Sequence, residues 1–159
     1  MKKMKKKSPL SVSELPPAIG HIVIDREACA GCSTCEAVCA LSHEGIVSPH
    51  LARLRIIDYY LEGHRIEGYV CEQCPDPQCL HACPTEAIHI DQETGARVID
   101  PDECNGCKVC MTACPQSPNS PISYDAVREV CIKCDLCGGN PLCVKFCPEA
   151  ALSFSKEAS

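Results

Sequence analysis

Along this chain apolar and polar residues alternate in short runs, and each run stops at a cysteine-rich loop. Residues 21–25 (HIVID), 87–91 (AIHID) and 96–100 (ARVID) show the period of two that turns one face of a strand inward. Between the last two of these, QETG reads as a tight turn, which predicts a hairpin over residues 87–100 joining two cysteine loops. A second hairpin is predicted from residues 51–61 (LARLRIIDYYL), the turn EGHR and residues 66–70 (IEGYV). It occupies the longest cysteine-free interval of the cysteine-rich region, where it is placed to cover a neighbouring site or a partner surface. Residues 150–155 (AALSFS) form a closing strand able to pair with residues 21–25, so that the first and last segments lie together.

Composition changes this picture by removing the ordinary core. The apolar share is 45%, but 17 cysteines among 159 residues are counted in it, and there is no Trp, with two Phe and four Tyr. Large side chains that usually dominate burial are nearly missing. A protein this short and this poor in aromatics needs staples, either disulfides or metals. An odd cysteine count argues against a complete disulfide framework. The opening MKKMKKK is followed by SPLSVSELPPAIG instead of an apolar run, so it reads as a solvated tail and not as a secretory leader. No stretch approaches a membrane span. These features predict a cytoplasmic protein, and the net charge of -6 gives no support to nucleic-acid binding.

The cysteines fall into four groups, which are the internal repeat of the sequence. The first three are Cys29, Cys32, Cys35 and Cys39; Cys71, Cys74, Cys79 and Cys83; and Cys104, Cys107, Cys110 and Cys114. The fourth carries five: Cys131, Cys134, Cys137, Cys143 and Cys147. A C-x2-C-x2-C run puts three thiolates around one small loop, suited to three corners of a 4Fe-4S cubane, and the following C-x3-C-P step closes a corner of a paired cluster. Pro84, Pro115 and Pro148 end that step; Ala40 stands at the corresponding place in the first group. Zinc sites combine two separated C-x2-C knuckles, so the third and fourth cysteines of every group would be redundant in them. In the fourth group the spacing from Cys134 onward is x2, x5, x3, against x2, x4, x3 in the second, which leaves Cys131 as a buried non-ligand. The alternative loop of Cys131, Cys134 and Cys137 leaves Cys143 spare.

With CEQCPDPQCLHACP and KCDLCGGNPLCVKFCP as they stand, residues 20–155 resemble the four-cluster, ferredoxin-like electron-transfer subunits of molybdenum and tungsten oxidoreductases. That family includes the iron–sulfur subunits of dimethyl sulfoxide reductase and formate dehydrogenase. The size and layout are most similar to the small subunit of a tungsten aldehyde oxidoreductase of the aldehyde:ferredoxin type. The resemblance implies a loop-rich α+β fold: interleaved bacterial ferredoxin-like units with short hairpins and short helices. It divides the sequence into a tail (1–19), an outer two-cluster lobe (20–40 plus 120–155), a hairpin insertion (41–70) and an inner two-cluster lobe (71–119).

The same resemblance implies that groups pair first with fourth and second with third, each lending its last cysteine to the other's cluster. Cluster 1 then takes Cys29, Cys32, Cys35 and Cys147, and cluster 2 takes Cys134, Cys137, Cys143 and Cys39. Cluster 3 takes Cys71, Cys74, Cys79 and Cys114, and cluster 4 takes Cys104, Cys107, Cys110 and Cys83.

No phosphate loop, activated nucleophile or dinucleotide fingerprint occurs, so the protein is expected to carry electrons and not to catalyse a reaction itself. The implied partners are a tungsten or molybdenum catalytic subunit and a flavin- or NAD-linked subunit or ferredoxin. A hydrogenase or formate dehydrogenase partner, a stand-alone polyferredoxin and a zinc-stapled interaction module are the rival readings. The linear layout also admits self-association that extends the relay. Lys108, Lys133 and Lys145 favour reduction of neighbouring clusters and Asp76, Asp102 and Asp135 oppose it, unless these charges are simply solvated. His81 is expected either to donate to a cluster sulfur or to face solvent.

Overall fold

The computed structural model describes residues 15–156. The lysine-rich opening, residues 1–7, lies outside them. Among the described residues, eight short strands pair two by two into four antiparallel ribbons, and four short helices stand between them.

Strand β1 (His21–Ile24) pairs with β8 (Leu152–Ser155), with His21 opposite Ser155 and Ile24 opposite Leu152. The two ends of the cysteine-rich region are therefore joined. The ribbon of β2 (Leu54–Tyr59) and β3 (Arg65–Val70) sets Leu54 opposite Val70, and both of these are buried at its base. Strands β4 (Ile88–Ile90) and β5 (Arg97–Ile99) form the hairpin expected around QETG. Asp91 fixes that turn by accepting from the Thr94 amide at 2.8 Å and from the Thr94 hydroxyl at 2.7 Å. The fourth ribbon, β6 (Ser123–Asp125) with β7 (Val130–Ile132), has only three residues a strand and goes beyond what the sequence pattern predicts. Such short strands offer too little periodicity to be read.

Each helix carries the x3 step of one cysteine group. Helix α1 (Thr34–Glu44) contains Cys35 and Cys39, and Gly45 stops it with its amide on the Leu41 carbonyl at φ 73°. Helices α2 (Gln78–His81), α3 (Val109–Ala113) and α4 (Leu142–Lys145) contain Cys79, Cys110 and Cys143. Helix α1 packs on α4, and α2 packs on α3.

Apolar burial is split between two clusters, both built largely of cysteine and small aliphatic side chains. One gathers Ile22, Leu54, Val70, Leu136 and Leu152 with Cys35, Cys39, Cys134 and Cys143. The other gathers Ile88 and Ile122 with Cys79, Cys110 and Cys131. Residues just before β1 lie along the β4–β5 turn: Ile19 donates its amide to the Thr94 carbonyl at 2.8 Å, and Arg97 Nη1 donates to the Pro16 carbonyl at 3.1 Å.

Candidate functional site

Among the described residues, three cavities are lined by cysteines, and each draws on more than one sequence group. The first holds Cys39 with Cys134, Cys137 and Cys143, roofed by Leu54 and Val70 from the β2–β3 ribbon. The second holds Cys83 with Cys104, Cys107 and Cys110. The third holds Cys71, Cys74 and Cys79 with Cys114. Cys29, Cys32, Cys35 and Cys147 line none of these three. Cys29 and Cys147 pack against the same apolar cluster that buries Cys35. The charges of Cys29 and Cys32 act on Cys35, and Glu149, just past Cys147, acts on Cys32.

Local geometry explains how one group reaches two places. Left-handed residues turn the backbone between successive cysteines of a loop: Gly31 and Ser33 in the first group, and Gly106 and Lys108 in the third, where Cys104, Cys107 and Cys110 share one concavity. The x3 step then passes along a helix, so its last cysteine leaves the loop and meets the helix packed alongside. Gly106 has a specific reason to be glycine. Its φ is +67°, and a Cβ there would stand 2.2 Å from the Glu129 carbonyl oxygen.

Backbone amides point at the thiols. Arg53 donates to Cys39 Sγ at 3.2 Å, Cys131 to Cys104 Sγ at 3.4 Å and Leu136 to Cys134 Sγ at 3.4 Å. Burial holds several of these thiols in the neutral form. Burial, reinforced by the Glu36 carboxylate, pushes Cys35 up to about 12. Burial together with the charges of Cys39 and Cys137 pushes Cys143 up to about 12. Cys134 is raised well above the usual thiol range, again chiefly by burial. Thiolates in such places need a positive group among them.

Buried cations stand at two of the cavities, and an exposed one, Lys108, borders the third. Arg97, only 1% exposed, and Lys133, 5% exposed, both line the Cys71 cavity. Lys133 Nζ lies 3.8 Å from Cys79 Sγ. Burial lowers the Arg97 pKa against the opposing pull of Cys71, Cys74 and Cys79. For Lys133, burial also pulls downward, but Cys71 and Cys79 outweigh it and the net shift is upward. Arg53 lines the Cys134 cavity and pairs with Glu44 at 2.9 Å. Arg97 Nε and Arg53 Nη1 are buried N–H groups with no hydrogen-bond partner among the described residues. Orphaned donors beside rows of thiols fit an anionic metal–sulfur group, whose sulfurs would accept from them.

Two further groups border these cavities. His43 reaches Asp135 at 3.1 Å through Nε2 and the Cys39 carbonyl at 2.9 Å through Nδ1. Burial raises the Asp135 pKa, but the His43 hydrogen bond more than reverses it and holds it at about 2; the same pairing carries His43 to about 12. Helix periodicity alone does not reveal this pair, because its partners are 92 positions apart.

Cys131 is 1% exposed and lines the cavity of Cys83, Cys104, Cys107 and Cys110, so five cysteines face that space. Its hydrogen bond with Cys110 lowers its pKa to about 6 and raises that of Cys110. Of the charges noted in the sequence, Lys108, Lys133 and Asp135 stand at cysteine cavities; Lys108 is exposed, with its ammonium 3.7 Å from the Tyr124 ring centroid. His81 pairs with Asp76 at 2.8 Å. Lys145 and Asp102 are exposed. None of the described helices is long and apolar enough to cross a membrane.

Known proteins resemble this chain in sequence and in fold. Residues 64–157 match the family described as 4Fe-4S dicluster domain. The polyferredoxin-like subunit of aliphatic sulfonate oxidoreductase from Pyrococcus furiosus is 42% identical over 81% of this chain and 72% of its own length. The B subunit of anaerobic dimethyl sulfoxide reductase from Shigella flexneri is 33% identical over 82% of this chain and 70% of its own length. Among solved structures, the active-site complex BamBC of benzoyl coenzyme A reductase with benzoyl-CoA contains a polypeptide of similar fold. Its TM-score is 0.52 at 24% identity, covering 87% of this chain and 80% of that one. On the family match and these identities, the protein belongs to the 4Fe-4S dicluster domain family, whose ferredoxin-like members serve as iron–sulfur electron-transfer subunits of oxidoreductases.

Proposed function

We propose that this chain holds four 4Fe-4S clusters and carries electrons between a catalytic oxidoreductase subunit and a second redox partner. The observation that carries this reading is the packing of α1 on α4 and α2 on α3, with three cavities each lined by three cysteines of one group and one of another, the second also taking Cys131 as a fifth. The ligand sets that follow are Cys39, Cys134, Cys137 and Cys143; Cys71, Cys74, Cys79 and Cys114; Cys83, Cys104, Cys107 and Cys110; and Cys29, Cys32, Cys35 and Cys147. Cys131 is then a fifth, non-ligating thiol. This assignment divides the protein into an outer lobe (20–40 plus 120–155) and an inner lobe (71–119), with residues 41–70 inserted between them.

A bound 4Fe-4S cluster supplies one-electron exchange. The protein's own part is to hold the thiolates, exclude water with Leu54, Val70 and Ile122, and aim amides and cations at sulfur. A protein of this design needs a donor and an acceptor. We assign these roles to a tungsten or molybdenum catalytic subunit of the aldehyde oxidoreductase type and to a flavin- or NAD-linked subunit or ferredoxin, all in the cytoplasm. The support is the resemblance in layout together with the subunit status of the named relatives.

A second reading of the catalytic partner is favoured by one observation. The relative with 42% identity is a subunit of an aliphatic sulfonate oxidoreductase, which makes a sulfonate a rival to an aldehyde as the substrate class. Anaerobic affinity purification of the protein, followed by mass spectrometry and metal analysis, tests both. We expect iron and sulfide for four clusters and a co-purifying protein that carries tungsten or molybdenum and oxidises aldehydes. Turnover of sulfonates alone replaces the aldehyde reading with the sulfonate one. A protein that purifies alone and monomeric overturns the subunit reading.

A further inference from the structure

We propose that Arg97 and Lys133 make the centre held by Cys71, Cys74, Cys79 and Cys114 the most easily reduced one in the chain, the place where an electron comes to rest. This inference rests on the four-cluster reading above. It begins from the cost of burying charge: an ion taken out of water needs a counter-charge beside it. Among the described residues, neither Arg97 nor Lys133 forms an ion pair with a carboxylate, although both are buried. The anionic groups that act on them are cysteines: Cys71, Cys74 and Cys79 on Arg97, and Cys71, Cys79 and Cys134 on Lys133. The counter-charge of both cations is thus the metal–thiolate group itself.

The other three sets of cysteines are balanced differently. At the Cys134 cavity, Arg53 is neutralised by Glu44 and His43 by Asp135. At the Cys104 cavity, Lys108 is exposed to water, which screens it. Beside Cys35 stands a buried carboxylate, Glu36, whose Oε1 accepts the Ile56 amide at 3.1 Å. Although the charge of Cys134 also acts on Lys133, this side chain lines the Cys71 cavity and not the Cys134 cavity, so one cysteine set faces two cations without a carboxylate partner, two face cations that are paired or solvated, and one faces an anion. Reduction adds one electron, supplied by the redox partner or by a chemical reductant, and so adds one negative charge to the site. No bond is made or broken. Fixed positive charge in a water-poor site favours that added charge, and net charge is one of the levers that set such potentials.

The test is an anaerobic redox titration of the cluster-loaded protein followed by electron paramagnetic resonance, with iron and sulfide measured on every sample. Cys74→Ser marks the centre, since replacing a ligand alters its signal. In the unsubstituted protein, the signal that appears first as the potential falls is expected to be the one that Cys74→Ser changes. Lys133→Met is expected to lower the reduced-to-oxidised ratio of that centre at fixed potential at least tenfold, about 59 mV for a one-electron couple. Lys133→Arg, which keeps the charge, is expected to restore it. Arg97 also ties residues 16 and 95 together through its guanidinium, so its removal threatens folding, and the Lys133 variants carry the test. Full iron content with no such shift in Lys133→Met, or a shift in a centre that Cys74→Ser leaves unchanged, overturns the inference. A spectrum that Cys74→Ser does not alter at all defeats the four-cluster reading together with it.

Discussion

Replacing Gly106 by alanine should damage the protein far more than the same change at Gly138, although both glycines stand in cysteine loops with nearly the same backbone conformation. Their φ angles are +67° and +63°. A side chain held in the left-handed region costs about 1–2 kcal/mol, and both variants bear that cost. They differ in what the new methyl group meets. At Gly138 nothing lies within 4 Å, whereas at Gly106 the Glu129 carbonyl oxygen would be 2.2 Å away and its carbon 3.0 Å. These are backbone atoms at the start of β7, which carries Cys131 against the Cys104 thiol, and they cannot swing aside as a side-chain tip would. Forcing a methyl group into filled space costs about 1–3 kcal/mol more. Gly106→Ala should therefore lose roughly 2–5 kcal/mol and Gly138→Ala roughly 1–2 kcal/mol. Guanidinium unfolding of the anaerobically purified, iron-loaded proteins, with iron counted per molecule, reads the difference. Equal midpoints for the two variants, or a lower one for Gly138→Ala, would refute the steric argument.

Four other expectations follow from the same structure. Ile122, 1% exposed beside Cys79 and Cys110, should cost about 2–5 kcal/mol when truncated to alanine, seen as a lower denaturant midpoint; an unchanged midpoint would mean the second apolar cluster contributes little. Glu36→Ala leaves the Ile56 amide without its acceptor and should cost about 1–3 kcal/mol, with hydrogen exchange at Ile56 accelerated; unchanged exchange would show that another group replaces the carboxylate. Cys131→Ser should keep its full iron content while Cys137→Ser perturbs one cluster, and the reverse outcome would exchange their roles. Stripping iron with a chelator should melt the fold, because Arg97 and Lys133 then lose their counter-charge in a buried place; far-UV circular dichroism that survives iron removal would contradict this.

The strand pairings show which physics is legible along a sequence. Residues 21–25 and 150–155 alternate cleanly and pair as β1 and β8, and the QETG and EGHR turns sit where the two hairpins bend. The β6–β7 ribbon is not legible because three-residue strands hold barely more than one period, and its Ser123 is fixed by tertiary contact, donating to the Ala52 carbonyl at 2.7 Å. At the candidate sites the cysteines announce themselves by spacing. Arg97 does not: it looks like an ordinary hairpin residue, and only the approach of Pro16 and the Cys71 loop buries it. The pairing of His43 with Asp135 is hidden for the same reason. Contacts between distant segments leave no local periodicity.

The union of β1 with β8 also sets a timetable for making this protein. A polypeptide leaves the ribosome from its N-terminus at roughly 5–20 residues per second. Cys71, Cys74, Cys79 and Cys114 are all synthesised before Cys134, Cys143 and Cys147, yet Cys29 and its neighbours wait for helix α4 and for Leu152–Ser155 to arrive. The first thiols synthesised are thus among the last to be enclosed. For that interval they are open to oxidation and to stray metals, so a cell that makes this protein must deliver iron and sulfide before oxygen reaches the unfinished half.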